Sequence, residues 1–304
     1  MTVPATSANL GSGFDCLALA LDIPLEVRAK PAPKFKITLQ GEGAAELPTD
    51  EGNLVVRAYR QALERLQAGW VPLDLRVKNH IPLKRGLGSS AAATVAGVGL
   101  AYAVAGRPFQ ALELLRLAAE IEGHPDNAAA AVLGGIVLAF EADSCPQAVG
   151  LRVPRNLGVV LFVPDREVPT EAARRLLPEA VPLADAVFNL SRSALWVVAI
   201  LGNRLELLRA ATEDRLHQPA RRSLIPELEP LTRAALEAGA LGACLSGAGP
   251  SVIAFVDIRT DVPDRVAQAW AEAAGRLKFP GRVLRPAIRR QGITLHYVSD
   301  GRGR

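Results

Sequence analysis

The segment Gly86-Leu87-Gly88-Ser89-Ser90 has the composition of a loop that could cradle phosphate groups. Glycines let the backbone turn sharply and approach a ligand closely, because no side chain intervenes. The small-residue segment that follows, from Ala91 to Ala105, predicts a helix whose free N–H groups and dipole favour an anion at its start. Its spacing matches neither a Walker loop nor Gly-x-Gly-x-x-Gly, and a glycine turn with an ordinary serine N-cap is an alternative.

Two carboxylates near the end of the next predicted helix are candidate metal ligands. Glu113, Arg116 and Glu120 are spaced three and four apart, which indicates one solvated stripe with ion pairing. Glu122 lies off that stripe, among apolar residues. A carboxylate on an apolar face needs a partner, and a magnesium ion would supply one, although a capping or salt-bridge role is the alternative.

The elements that position these residues follow the order strand, glycine loop, helix. Leu73–Val77 alternates apolar and polar residues as a half-buried strand does. Pro108 lies where a first-turn proline would start the helix that ends at Glu122, before Gly123. Other runs predict strands at Phe35–Leu39, Ile136–Phe140, Leu157–Val163 and Val252–Val256, and helices at Leu54–Leu66, Glu171–Leu177, Leu183–Ile200, Leu205–Glu213 and Pro263–Leu277.

Length and composition describe a packed globular chain. With 304 residues, 49% hydrophobic and 22% charged, we expect two domains, and a break in the pattern near residues 150–156 divides the chain into residues 1–153 and 154–304. The net charge of +4 is spread along the chain and aromatic residues are only 5%, which argues against nucleic acid as a partner.

The cysteines and the apolar runs of the sequence predict the cellular compartment of the protein. Cys16, Cys145 and Cys244 are odd in number and far apart, so neither a disulfide framework nor a cysteine-based zinc site is expected, and a reducing cytosol fits. No apolar run reaches transmembrane length without interruption, and the first residues lack the pattern of a secretory signal. We therefore expect a cytoplasmic protein with no membrane partner, and a homodimer is left open.

Three motifs in order along the chain resemble those of the GHMP kinases, the family of galacto-, homoserine, mevalonate and phosphomevalonate kinases. The segment Pro82–Ala92 resembles the phosphate-binding motif, and Ser246–Ser251 resembles the third motif, near the active site. Val3–Asp15 is similar to the first signature of the members that act on homoserine. The segment Glu122–Asn127 is similar to their version of a loop that carries a catalytic aspartate in mevalonate-type relatives.

The resemblance implies an α+β fold, with an N-terminal α/β domain like that of a ribosomal protein, a C-terminal ferredoxin-like domain, and the active site between them. It implies transfer of the γ-phosphoryl group of ATP, with Mg²⁺, to the hydroxyl of a small acceptor, for which homoserine is expected. Such transfer depends mainly on positioning and charge neutralisation.

The resemblance also implies residue roles on the nucleotide side. Ser89 and Glu122 are expected to hold magnesium and to serve catalysis, with Ser90 as the alternative magnesium serine. Asn53 is expected to line the adenine site, unless it only caps a helix. The phosphate cradle comprises Pro82, Leu83, Lys84, Arg85, Gly86, Leu87, Gly88, Ser89, Ser90, Ala91 and Ala92.

On the acceptor side, Asn127 is the expected catalytic residue, and because an amide cannot act as a base it would orient the hydroxyl. Asp126 is the residue that could take its place, and a proline turn with an Asx cap is the alternative for this loop. Arginine offers a planar fork for a carboxylate. The substrate pocket comprises Asn9 and Asp15 for the ammonium, Arg174 and Arg221 for the carboxylate, and Thr170, His124, Asn127 and Gly247.

Two positions depart from the family pattern. Ser12 and Ala220 stand where Pro and Tyr are commoner, and neither change removes a charged group. Two rival functions stay open at this stage. One is a kinase of the same family for a mevalonate-like or sugar-like acceptor, which would usually carry the loop aspartate. The other is a non-catalytic ATP-binding protein on the same fold.

Overall fold

The computed structural model describes residues 1–296, which form two β-sheets covered by helices. The N-terminal half carries a six-stranded sheet and four helices. Its strands are β1 (Thr2–Asn9), β2 (Gly13–Pro31), β3 (Lys36–Gly41), β4 (Leu73–Asn79), β5 (Ile136–Ala142) and β6 (Cys145–Leu151). Its helices are α1 (Leu54–Arg65), α2 (Ser89–Val104), α3 (Ala111–Glu122) and α4 (Asp126–Leu133).

The first sheet is mixed, and the 19-residue strand β2 organises it. The strand order is β3-β4-β2-β5-β6, and β1 pairs with β2 off this path. The β3–β4 pair is parallel, whereas the other pairs are antiparallel. Because β1 ends at Asn9 and β2 begins at Gly13, the tight turn between them lies at the edge of the site described below.

The C-terminal half contains the second sheet. Its strands are β7 (Leu157–Pro164), β8 (Gly242–Leu245), β9 (Val252–Asp257) and β10 (Gly281–Leu284). Its helices are α5 (Thr170–Arg175), α6 (Leu183–Leu201), α7 (Leu208–Ala211), α8 (Gln218–Arg221), α9 (Leu228–Glu237) and α10 (Val262–Leu277), with a 3₁₀ turn at Leu205–Leu207. The order β10-β7-β9-β8, all antiparallel, is the ferredoxin-like order, so the expected α+β fold is confirmed.

Helix α2 is buried on nearly all sides, because it consists almost entirely of small and apolar residues. Close packing depends on them. A Cβ added to Gly97 would lie 2.4 Å from the carbonyl oxygen of Val55, so α1 and α2 are in contact backbone to backbone. This packing fixes the start of α2, where the glycine loop ends, against the rest of the N-terminal core.

The last described residues return to the first sheet. Thr294 exchanges backbone hydrogen bonds with Thr2, and Arg289 donates its N–H to the carbonyl of Ala20. The chain crosses from the first sheet to the second between Leu151 and Leu157, close to the expected boundary at residue 153. That division into two domains stays a prediction.

Helix boundaries largely follow the sequence, with one clear exception. The prediction that Pro108 begins a helix is wrong, because α3 begins at Ala111 and residues 107–110 are not helical. Leucine and alanine from Ala111 onward have better helix propensity than the Arg-Pro-Phe segment before it. The strands β1, β2, β6, β8 and β10 and the helices α8 and α9 were not predicted.

Within the described residues, α6 is long and apolar enough to cross a membrane by length and composition, with 22% of its apolar window buried. Polar residues interrupt it. Asp185 accepts a hydrogen bond from Arg215 (3.2 Å), and Arg192 pairs with Glu213 (3.2 Å). A single helix of this kind is weak evidence for a membrane protein.

Candidate active site

The glycine loop and the late Ser-Gly-Ala-Gly-Pro-Ser loop are packed against each other through their backbones. At Gly86 (φ +70°) an added Cβ would lie 2.1 Å from the carbonyl oxygen of Ser246, so any side chain there would displace the neighbouring loop. The Ser246 hydroxyl donates to the Gly86 carbonyl over 2.7 Å and lies 2.8 Å from Ser7 Oγ. Ser7 belongs to β1, so all three sequence motifs meet at this point.

The start of α2 is not capped by a serine. Its N-cap is Gly88, in the left-handed region at φ +67°, and no side chain of residues 1–296 caps the first turn with a hydrogen bond. The alternative of an ordinary serine N-cap is therefore wrong. The first-turn N–H groups are available to an anion, and the positive end of the helix dipole adds to the attraction.

A cleft of about 690 Å³ opens in front of this loop. Of the residues predicted for the site, Ala92 alone does not line it, because this residue is fully buried within α2. Asp126 also lines the cleft. The structure thus brings together side chains from positions 9 to 247 of the sequence, from both halves of the fold.

Two cradle residues bond the second half of the chain through their side chains. Lys84 pairs with Glu167 (3.0 Å), and Arg85 donates from Nε to the carbonyl of Pro164 (2.9 Å). Both partners lie in or just beyond the end of β7, so these side chains connect the glycine loop to the second sheet. The N–H groups of the loop backbone are what these positions can offer to phosphates.

The two candidate carboxylates differ in exposure as the stripe pattern predicts, because Glu113, Arg116 and Glu120 are all exposed, but the ion pairing expected within the stripe is not found among residues 1–296. Glu120 is exposed and pairs with Arg65 of α1. Glu122 is half-buried, lines the cleft, and accepts a hydrogen bond from the Thr94 hydroxyl of α2 over 2.8 Å. Within residues 1–296, only Oε2 of Glu122 has a hydrogen-bond partner, which leaves Oε1 available for another ligand.

Asn127 lies at the start of α4 with its amide held on two sides. The Thr6 hydroxyl donates to Oδ1 over 2.7 Å, and Nδ2 is 3.3 Å from Asp126 Oδ1. Asp126 is 2% exposed, and its Oδ1 also accepts the Asn127 backbone N–H at 2.7 Å. The Asx cap expected as an alternative for this loop is wrong, because α4 begins at Asp126 itself, its N-cap is Pro125, and the Asp126 side chain bonds no backbone N–H of residues 1–296 other than that of the next residue.

His124 is the third polar residue of this loop. Its Nδ1 lies 3.3 Å from Asp126 Oδ1. The Asp126 carboxylate raises the pKa of His124 above its ordinary value, although burial of the imidazole acts in the opposite direction. His124 therefore holds a proton more readily here than an exposed histidine does.

Asn9 uses most of its amide to connect two motifs. Its Oδ1 accepts the Asp15 N–H (3.0 Å), and its Nδ2 donates to the carbonyl of Gly247 (2.9 Å). Asn9 and Asp15 both have positive φ, which short polar residues tolerate better than most. Asn9 is only 4% exposed, and beyond these two bonds it retains one lone pair on Oδ1 and one Nδ2–H.

Asp15 and Arg174 form a two-pronged ion pair across the cleft. Arg174 Nη2 is 2.8 Å from Oδ1, and Nη1 is 3.1 Å from Oδ2. Arg174 comes from α5, whose first residue Thr170 also lines the cleft. Both charged side chains are about one third exposed, and both are within reach of solvent or a ligand.

Arg221 is buried, and no carboxylate of residues 1–296 lies within salt-bridge distance of it. It is 1% exposed, and no salt bridge within residues 1–296 includes it. Its guanidinium donates to His217 Nδ1 (2.9 Å) and, more weakly, to the carbonyls of Ala173 and Gly247 (both 3.3 Å). Burial lowers the pKa of Arg221 to about 10, and the nearby Arg174 adds to this shift, yet the group stays cationic at neutral pH.

His217 fixes the position of Arg221 from behind. The ring is fully buried, and its Nε2 is 2.7 Å from the carbonyl of Gly11, to which it donates. Nδ1 is then the acceptor for Arg221, which requires the neutral form of the ring. Burial lowers the pKa of His217, in agreement with that form. Phe14 stacks on the imidazole with ring centroids 5.3 Å apart.

Asn53 caps α1, as its alternative role predicted. Its Oδ1 accepts the Val55 N–H (3.0 Å), and its Nδ2 donates to the carbonyl of Pro48 (2.9 Å). It also lines the cleft, so a contact with adenine stays a prediction.

The departure from the family pattern at Ser12 has a structural consequence, because the Ser12 hydroxyl donates to the Ala211 carbonyl over 2.8 Å.

Family models match both halves of the chain. The model described as "GHMP kinases N terminal domain" matches residues 53–135, and "GHMP kinases C terminal" matches residues 196–276. The homoserine kinase of Thermus thermophilus is 48% identical over 275 residues, covering 90% of this chain and 92% of that protein. The chain belongs to the GHMP kinase family, on its homoserine kinase branch.

Other members support the same placement of this GHMP kinase. The homoserine kinase of Caldicellulosiruptor bescii is 44% identical over 257 residues, covering 84% of this chain and 83% of that one. The crystal structure of the homoserine kinase from Cytophaga hutchinsonii superposes with a TM-score of 0.87 at 34% identity, covering 96% and 95% of the two chains. The mevalonate kinase of L. major (TM-score 0.71, 17% identity, 96% of each chain) shows the shared fold alone.

Some contacts in the site of this GHMP kinase could not be predicted. Thr6 lies against Asn127, and His217 lies behind Arg221, yet neither was predicted to take part in the site. Thr6 is 121 positions from Asn127, and His217 is 206 positions from Gly11. The sequence feature that could have identified these two residues is their position, since Thr6 lies within the first motif and His217 lies four residues before Arg221.

Proposed function

We propose that this GHMP kinase transfers the γ-phosphoryl group of ATP to the hydroxyl of L-homoserine, giving O-phospho-L-homoserine, an intermediate of threonine biosynthesis, and ADP. The relatives described above at 44–48% identity are homoserine kinases. The observation that carries the proposal is Arg221, a buried cation with no carboxylate partner within residues 1–296. A buried charge is costly unless it is paired, and the substrate's α-carboxylate would pair it.

The nucleotide end of the proposal rests on the start of α2. The uncapped N–H groups after Gly88 and the close backbone of Gly86 suit a chain of phosphates. Membership of the GHMP kinase family implies that ATP is the phosphoryl donor. The cradle residues contribute mainly backbone, because Lys84 and Arg85 direct their side chains to the second sheet.

The acceptor end of the proposal rests on three charged residues. Asp15 would take the ammonium of homoserine, and Arg174 and Arg221 would take its carboxylate. The fork geometry of arginine suits a carboxylate, and the small remaining polar groups, Thr170 and His124, would complete the pocket. This arrangement recognises a zwitterion, which distinguishes an amino-acid acceptor from a sugar.

Asn127 is the residue that we place against the acceptor hydroxyl. Its amide cannot take up a proton, so it would orient the hydroxyl oxygen toward the phosphorus, and the proton would pass to phosphate or solvent. Asp126 is less suited to act as a base, because its Oδ1 already accepts the Asn127 N–H and lies beside His124. Holding the reacting atoms in the right geometry removes a large part of the activation free energy in reactions of this kind.

Magnesium belongs to the proposal, with Ser89 and Glu122 as its protein ligands. The donor set fits, because Mg²⁺ in kinases is usually held by one or two carboxylates together with phosphate oxygens. Oε1 of Glu122 is available, and residues 1–296 hold no cluster of three or more His, Cys, Asp or Glu side chains that could bind a metal without the nucleotide. When bound, the ion would neutralise charge on the phosphates.

Several further points belong to the proposal. We infer a cytoplasmic enzyme that acts without nucleic acid or membrane, since its cysteines are unpaired and its charge excess is small.

We also propose that the enzyme is a homodimer, which light scattering of the purified chain tests. A mass above that of one 32.2 kDa chain supports the dimer, and a mass equal to it contradicts the dimer.

The test is ADP release that depends on homoserine, measured for the native chain and for Arg221→Leu. We expect the KM for homoserine to rise about 10- to 100-fold in Arg221→Leu, since a hydrogen bond to a charged group contributes about 1.5–3 kcal/mol. The Kd for ATP should change little. Arg222→Leu removes the neighbouring exposed arginine and is the control. Equal weakening of both ligands, or none, would contradict the role of Arg221.

A further inference from the structure

Thr6 joins the two ends of the site through one short side chain. It lies on β1 and is fully buried. Its backbone N–H donates to the carbonyl of Leu87 in the glycine loop (3.1 Å), and its hydroxyl donates to Asn127 Oδ1 (2.7 Å). The phosphate side and the acceptor side of the cleft therefore share one residue as a common support.

The contact with the glycine loop is direct. A Cβ added to Gly88 would lie 1.8 Å from Thr6 Oγ1 and 3.2 Å from Asn127 Oδ1. The Thr6 hydroxyl is consequently in van der Waals contact with the loop backbone at Gly88 while it bonds the Asn127 amide, and a side chain at Gly88 would meet both. A shift of any one of these three groups changes the space open to the other two.

The hydrogen bonds around Asn127 select one orientation of its amide. A carboxamide has nearly the same shape after a half-turn that exchanges its oxygen and nitrogen. The Asp126 carboxylate can only accept, so Nδ2 must face it, and the Thr6 hydroxyl must then donate to Oδ1. One Nδ2–H is left without a partner within residues 1–296, and it is the donor that Asn127 can offer to an acceptor oxygen.

We propose that Thr6 is a positioning residue for phosphoryl transfer, because it fixes the Asn127 amide relative to the phosphate loop. Its hydroxyl sets the orientation of the Asn127 amide. Its backbone N–H fixes the position of the glycine loop through the hydrogen bond to the Leu87 carbonyl. The acceptor oxygen and the γ-phosphorus are thereby held in one alignment. This inference rests on the proposed function, in which Asn127 faces the acceptor hydroxyl.

The test is Thr6→Val, which keeps the branched shape and removes the hydroxyl, with Thr6→Ser as the variant that restores it. We expect Thr6→Val to lower kcat about 10- to 100-fold, as small misplacements in a site do. The KM values for ATP and homoserine should stay within about threefold of the native values, because neither ligand loses a direct contact. Thr6→Ser should recover most of kcat.

The matched control is Thr232→Val on α9. Its hydroxyl is buried without a hydrogen-bond partner within residues 1–296, so the same chemical change is made far from the cleft. We expect native kcat for Thr232→Val. A native kcat for Thr6→Val, equal losses in Thr6→Val and Thr6→Ser, or a loss that resides in KM alone would overturn the inference.

A second readout does not depend on turnover. The Asn127 side-chain amide resonances, assigned by their loss in Asn127→Asp, should shift in Thr6→Val and return toward native positions in Thr6→Ser. Unchanged resonances in Thr6→Val would overturn the inference whatever the acceptor is. If the native enzyme leaves homoserine unreacted and phosphorylates a different acceptor, the proposed function fails, and the Thr6 variants are compared on that acceptor.

Discussion

The guanidinium of Arg174 and the carboxylate of Asp15 face each other across the cleft, joined by hydrogen bonds of 2.8 and 3.1 Å. These are the two residues that we assign to the opposite charges of the substrate. In the structure each satisfies the other. A zwitterion that carries both an ammonium and a carboxylate could replace both partners at once, whereas a singly charged molecule would leave one of them unpaired.

The first prediction concerns Asp15→Asn. The variant should bind homoserine about 10- to 100-fold more weakly, because the ammonium loses its carboxylate partner. It should bind 4-hydroxybutyrate, which has a carboxylate but no ammonium, at least as well as the native enzyme does, because Arg174 no longer has a competing partner. Titration calorimetry of both ligands measures this. Parallel weakening of the two ligands would show that Asp15 does not discriminate the ammonium.

The second prediction compares two glycines that share a left-handed backbone. Gly86 (φ +70°) and Gly106 (φ +63°) would each suffer backbone strain of about 1–2 kcal/mol on change to Ala. A Cβ at Gly86 would also meet the Ser246 carbonyl at 2.1 Å, whereas a Cβ at Gly106 would meet no atom of the described residues within 4 Å. We expect Gly86→Ala to lose ATP binding and Gly106→Ala to keep it. Similar behaviour of the two variants would rule out the backbone contact as the cause.

The third prediction separates Glu122 from Glu120. Glu122→Gln should cut kcat at least about 10-fold and raise the magnesium concentration needed for half-maximal rate, because a neutral amide binds Mg²⁺ poorly. Glu120→Gln should have kcat near native, since it breaks only an exposed ion pair with Arg65, worth about 0–1 kcal/mol. Magnesium titrations of both variants decide the matter. The reverse outcome would exchange the two roles.

The fourth prediction concerns pH and His217. Its pKa is lowered in the folded state because the ring is buried, so the unfolded chain binds the proton more readily. The stability from neutral His217 is fully present above its unfolded pKa of about 6.5 and is lost as pH falls toward the folded pKa. The free energy of unfolding should therefore fall faster below pH ~6.5 in the native chain than in His217→Gln, by up to about 1.4 kcal/mol per pH unit. Identical pH profiles would contradict a neutral His217.

Local features were predictable from the sequence because local physics determines them. The Asn53 cap, the buried α2 and the contrast between Glu120 and Glu122 follow from side-chain chemistry and helical spacing. The ferredoxin-like order of the second sheet came instead from the motif resemblance. The prediction that a helix begins at Pro108 was wrong because proline is tolerated in the first turn of a helix but does not by itself start one.

What the sequence could not show is contact between distant segments. The Thr6–Asn127 and His217–Gly11 hydrogen bonds join residues more than a hundred positions apart. No periodicity encodes them, because they depend on how β1 lies against α4 and α8. The Asp15–Arg174 pair is of the same kind, since each residue was assigned to the substrate and their mutual bond was not foreseen.

The most direct test of the central claim, that this cleft selects homoserine, is a competition experiment. Equal concentrations of homoserine, mevalonate and galactose share limiting ATP and magnesium, and mass spectrometry quantifies the phosphorylated products. We expect O-phospho-L-homoserine as the dominant product, because homoserine carries an ammonium for Asp15 together with a carboxylate for Arg174 and Arg221. A mixture dominated by phosphomevalonate or galactose phosphate would contradict it.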